Sequence, residues 1–123
     1  MRKIETQMIR AIQEGKDWKN SNTKVINFFN EDSEFVVAQV YLHDNLIAEV
    51  TDSDMSIYDG GWQSNTTKSR LNALCDAFCI AGERVYQKNF KWYVDKVVGE
   101  SSITGKVFNT FDFVNGFTFA WYQ

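Results

Sequence analysis

The sequence predicts an α+β fold: a mainly antiparallel sheet of hairpins, one central amphipathic helix packed on it, and a short N-terminal helix. Three observations carry this. Apolar residues recur at helical spacing in two segments, around residues 3–14 and 66–81. Two β-branched runs, 35–42 and 46–51, flank the short polar stretch His43-Asp44-Asn45. Val114-Asn115-Gly116-Phe117 is a strong hairpin signal within an aromatic segment.

Taken in order, Ile4, Met8, Ile9, Ala11 and Ile12 form the stripe of the first helix, and Gly15 stops it. Residues 16–22 read as a polar link carrying Trp18, and 23–29 as a first strand. For 35–51, a three-residue loop with Asn45 left-handed pairs Leu42 with Leu46, Val40 with Ala48 and Ala38 with Val50. That register keeps one face apolar throughout. Residues 55–58 are a short strand. The second helix is expected over 66–81, capped by Asn65 or Thr66, with Leu71, Leu74, Cys75, Phe78 and Ala81 inward and Gly82 ending it. A second hairpin turns on Asn89-Phe90 and pairs Val85 with Val94, Tyr86 with Tyr93, Gln87 with Trp92 and Lys88 with Lys91. Residues 96–106 hold Gly99, Ser101, Ser102 and Gly105 and read as a flexible connection. The expected organisation is therefore a core over 1–95, that connection, and an aromatic hairpin over 107–123 in which 111–114 pair with 117–120 and pack on the core.

With 123 residues the chain can bury about two-thirds of its unfolded surface, enough for a core without metals or disulfides. Its 44% hydrophobic content argues against disorder. A net charge of −3 is unlike a generally basic nucleic-acid coat. No run is long enough to span a membrane, and residues 1–5 are unlike a signal peptide, so the expected location is the cytoplasm, with no membrane partner. Cys75 and Cys79 share a helix face and lack the spacing of a zinc site, so no metal or cofactor is expected. No nucleophile elbow, P-loop or dinucleotide fingerprint occurs, and a non-enzymatic role is the expectation.

Charge is sorted along the chain. Residues 31–60 carry eight carboxylates and no lysine or arginine. Glu31, Asp32, Glu34, Glu49, Asp52, Asp54 and Asp59 are accordingly candidates for binding a basic partner. Residues 62–91 are net basic. Here Trp62, Thr66, Thr67, Lys68 and Arg70 at the start of the second helix could hold an anion beside free N–H groups. Tyr86, Lys88, Lys91 and Tyr93 on one hairpin face interleave aromatics with cations, as single-stranded nucleic-acid platforms do. The alternative for all of these is a solvated or internally paired surface.

The stretch Leu42-His43-Asp44-Asn45-Leu46-Ile47-Ala48, then Gly61-Trp62-Gln63-Ser64-Asn65-Thr66-Thr67-Lys68-Ser69-Arg70-Leu71-Asn72-Ala73-Leu74, resembles a family of small tailed-phage proteins. Residues 86–93 are similar too, so the resemblance covers about 20–95 and leaves the aromatic segment outside. It implies a phage accessory protein that binds and redirects host machinery, as a takeover or counter-defence inhibitor. Nucleic-acid binding through the basic set is the alternative.

Overall fold

The computed structural model describes residues 1–121. Among these described residues, two helices and nine strands follow in order as α1 (Lys3–Glu14), β1 (Trp18–Asn20), β2 (Thr23–Phe29), β3 (Phe35–Leu42), β4 (Asn45–Val50), β5 (Asp54–Ile57), α2 (Asn65–Phe78), β6 (Arg84–Lys88), β7 (Lys91–Ser101), β8 (Gly105–Asp112) and β9 (Phe117–Ala120). The large sheet has the order β1-β2-β3-β4-β5-β9, the small one β6-β7-β8, and every pairing is antiparallel. This is the expected α+β architecture.

The alternation of β3 turns Ala38, Val40 and Leu42 inward. They join Met8 and Ile12 of α1, Leu71, Leu74 and Cys75 of α2, and Met55, Ile57 and Phe119 in one core. Val85, Trp92 and Val94 extend that core beneath the small sheet. Burying such side chains contributes roughly 1.5–3 kcal/mol each, the main stabilising term of the fold.

The β3–β4 register is the expected one at Val40↔Ala48 and Ala38↔Val50, but its turn differs. His43 and Asp44, not Asn45, are left-handed, so the turn is a two-residue one. Alone it would slip the register by one residue. A bulge beyond Tyr41 absorbs the slip, leaving both Ile47 and Ala48 buried. The second hairpin pairs as expected, with Asn89 and Phe90 both left-handed.

Three further expectations are corrected. The link at 16–22 contains β1, which pairs Trp18 with Val25. Helix α2 starts after Ser64, whose hydroxyl accepts the Thr67 N–H, and ends at Phe78, before Ala81 and Gly82. Gly82 instead makes room for Phe108: an added Cβ would lie 2.6 Å from the ring's Cζ.

The third correction concerns 96–120. Most of the expected connection is β-strand, because β7 runs on to Ser101 and β8 pairs back along it. No hairpin joins 111–114 to 117–120. The 114–117 turn closes through Phe117 N–H on the Val114 carbonyl at 3.0 Å, with positive φ at Gly116 but not at Asn115. That is the type II pattern, which splays its flanking strands instead of matching their twist. β8 therefore stays in the small sheet while β9 crosses to the edge of the large one, beside β5. Phe119 is fully buried and Phe113 packs edge-on against Trp92. Tyr122 lies outside the described residues.

Candidate functional site

Antiparallel order brings distant segments to one end of the large sheet. The β2–β3 turn, the β4–β5 turn, the end of β9 and the C-terminal ends of both helices meet there. Between them lies a cavity of about 470 Å³ lined by Ile12, Phe29, Phe35, Val50, Phe78 and Trp121, with Glu14 and Asp52 among its walls. Phe29 meets Phe35 edge-on at 6.1 Å, and Phe78 lies 6.5 Å from Trp121. Trp121 is fixed by its backbone N–H on the Ser53 carbonyl and its indole N–H on the Thr51 carbonyl. Phe29 remains half exposed.

The acidic candidates divide by position. Glu31, Asp32 and Glu34 ride the turn between Phe29 and Phe35, ordered by Asn30, whose Oδ1 accepts the N–H groups of Asp32 and Glu34 at 2.9 Å. Asp52 is exposed at the cavity, and Asp54 on the same turn accepts the Thr51 hydroxyl at 2.8 Å. None of the described lining residues is basic. Glu49 and Asp59 are elsewhere. Glu49 sits on the sheet face turned away from the core, accepting Gln39 at 3.1 Å and Tyr58 at 2.9 Å. The Glu49 hydrogen bond, then burial, pushes the Tyr58 phenol up. Asp59, at the opposite end, accepts the Gly61 N–H at 2.7 Å.

The basic candidates do not form one site. Arg70 is buried: its guanidinium meets Glu5 at 2.9 Å, Thr23 at 3.0 Å and Asn22 at 3.3 Å. It faces the core side of α2, so it is unavailable to an external anion. Thr67 is buried, bonded to Ser64 and to the Trp62 carbonyl. Lys68 reaches Gln87 at 3.2 Å, Thr66 is half-buried, and Trp62 stands largely exposed.

The hairpin face holds together better. Tyr86 and Tyr93 lie side by side, 5.8 Å apart, and with Lys88, Asn89 and Thr110 line a depression of about 390 Å³. Arg84 lies over Tyr86 and Lys91 over Tyr93. Their charges are met by Asp95 at 3.4 Å and Asp112 at 3.1 Å. Both cysteines are free. Among the described residues no cluster of three or more His, Cys, Asp or Glu could hold a metal ion, and no helix is long and apolar enough to cross a membrane.

Sequence reasoning missed the cavity because its four aromatics, Phe29, Phe35, Phe78 and Trp121, come from four separate segments. The only signal was that Phe29 and Phe35 flank the acid-rich turn.

No curated protein and no solved structure shows significant similarity to the chain. A family model described as Kyanoviridae Gp96 protein matches residues 1–120, well beyond the expected 20–95 and across the aromatic segment. The chain thus belongs to the Kyanoviridae Gp96 protein family, a phage family.

Proposed function

We propose that this phage protein acts without catalysis, by seating a basic segment of a host protein against the cavity at the acidic end of the large sheet. One observation supports this most: the aromatic walls, with Phe29 half exposed, share the cavity lining with Glu14 and Asp52, the turn from Phe29 to Phe35 carries Glu31, Asp32 and Glu34, and no cation is among the described lining residues. An apolar anchor would fill the cavity while the surrounding carboxylates meet its flanking lysines or arginines. Central aromatic anchors supply most of the energy at such interfaces, and peripheral charges set partner choice and on-rate. In the host cytoplasm this is the mode of an inhibitor that occupies a nucleic-acid-binding site.

The test uses tagged protein in host lysate. Asp52→Lys with Glu31→Lys is expected to lose the captured partner, while Lys88→Glu with Lys91→Glu keeps it. Glu49 and Asp54 are poor probes because both hold internal hydrogen bonds. Equal retention by both variants counts against the groove.

A second reading, nucleic-acid binding, draws support from the Tyr86/Tyr93 depression with its neighbouring cations. It expects retention on single-stranded oligonucleotides at low salt, lost in the Lys88→Glu, Lys91→Glu variant. Asp95 and Asp112 offset those cations, which makes it the weaker reading.

A further inference from the structure

Open sheet edges attract other strands, and proteins usually blunt them with short strands or charge. Among the described residues, three of the four sheet edges are blunted. β1 has three residues, β9 has four, and β6 carries Arg84 and Lys88. β8 is different: it has eight residues, all exposed, with Val107, Phe108 and Phe111 among them and charges only at Lys106 and Asp112.

The backbone restricts which register a partner strand could take. Phe113 donates its N–H to Trp92, directly opposite it by extension of the β7–β8 register. Alternation then points Phe111 and Asn109 at β7, and turns the N–H and C=O groups of Lys106, Phe108, Thr110 and Asp112 outward. An antiparallel partner must set outward residues opposite outward residues. For a second β8, the register that pairs all of 106–112 places Lys106 opposite Asp112, Val107 opposite Phe111, Phe108 opposite Thr110, and Asn109 opposite itself. At both ends Lys106 then faces an Asp112 that also holds Lys91 of its own chain at 3.1 Å, and Val107–Phe111 is an apolar cross-strand pair.

We propose that β8 pairs with β8 of a second copy of this chain about a two-fold axis at Asn109, joining the two small sheets into one six-stranded sheet. The self-complementarity of Lys106 and Asp112 is the argument for a second copy over a foreign strand. Such an isologous contact closes on itself and does not propagate into fibres.

Cysteine placement tests this. Across the axis the two Asn109 residues would form a non-hydrogen-bonded pair with Cα atoms about 4.5 Å apart, within disulfide range. Two Thr110 residues would be diagonal neighbours, roughly 7–8 Å apart and outside it. Asn109→Cys is expected to give a 109–109 disulfide dimer under mild oxidation, mapped by mass spectrometry, and Thr110→Cys is not. In sedimentation equilibrium Lys106→Asp should weaken the dimer about tenfold or more, and adding Asp112→Lys should restore it. A parent chain that remains monomeric at every concentration, equal cross-linking at both positions, or dimerisation indifferent to the charge swap overturns the proposal.

Discussion

Glu5 and Arg70, 65 positions apart, form a salt bridge of 2.9 Å with both side chains buried. One Glu5 oxygen accepts the Arg2 N–H at the start of α1, and the other takes Arg70 together with the Ser69 hydroxyl at 2.6 Å. The pair thereby ties the beginning of one helix to the first turns of the other. Removing one member leaves a buried charge alone, so Arg70→Met is expected to cost about 3–5 kcal/mol in denaturant unfolding. Replacing both partners with apolar residues should recover much of that loss.

The same pair sets an acid limit. Burial alone would push the Glu5 carboxyl up, but hydrogen bonds from Ser69, the Arg2 N–H and Arg70, with the Arg70 charge, outweigh it and hold it below the ordinary 4.5. A carboxyl lowered by folding stabilises the fold above its unfolded value, and that contribution disappears as pH falls through the folded value. The stability gap between the parent and Glu5→Gln should therefore narrow below about pH 4.5, measured by melting across pH. A constant gap contradicts the assignment.

Asn27 is buried on β2, and neither its amide nitrogen nor its amide oxygen has a hydrogen-bond partner among the described residues. An unmet buried amide costs roughly 1–3 kcal/mol. Asn27→Leu should raise stability by about 1 kcal/mol. A lower melting temperature would show that the amide is satisfied.

Phe90 is 96% exposed and left-handed at the second turn position between β6 and β7. A side chain there costs about 1–2 kcal/mol, and glycine avoids the cost. Phe90→Gly should stabilise the hairpin by about 1 kcal/mol, read from the unfolding midpoint. If binding to lysate partners falls at the same time, the exposed ring contributes to recognition.

The Cys79 thiol is pushed far up, first by its hydrogen bond with Cys75 and then by burial. Because the thiolate is the reactive form, alkylation at pH 8 should be roughly tenfold or more slower than for a free thiol. Unfolding should abolish the difference, which time-resolved mass spectrometry would show.

Local pattern made much of the fold legible. The stripe from Ile4 to Ile12 predicts α1, and Tyr86 opposite Tyr93 follows from pairing outward from a two-residue turn. What escaped depended on pairs without local signal. Arg70 read as a surface cation because nothing near it announces Glu5. Asn115-Gly116 read as a hairpin because the dipeptide suits both type I′ and type II turns, and only the destinations of β8 and β9 decide between them. Among the acidic candidates, the run 31–34 landed beside the cavity, but linear charge density could not separate Asp52 from Glu49, which turns onto another face.

The return of β9 to the edge of β5 shapes how the molecule is made. Met55 and Phe119 face each other across that seam. During synthesis β1 to β5 emerge first, and the edge at Met55 and Ile57 stays open while α2 and the whole small sheet are being translated. A nascent chain therefore carries an unclosed apolar border through half of its synthesis, the kind of surface that chaperones hold. Loop-closure entropy must be overcome before this long-range pairing contributes, so the β5–β9 seam is expected to form late in refolding. The aromatic segment acts as the latch of the large sheet, and shortening the chain before residue 117 would leave that latch open.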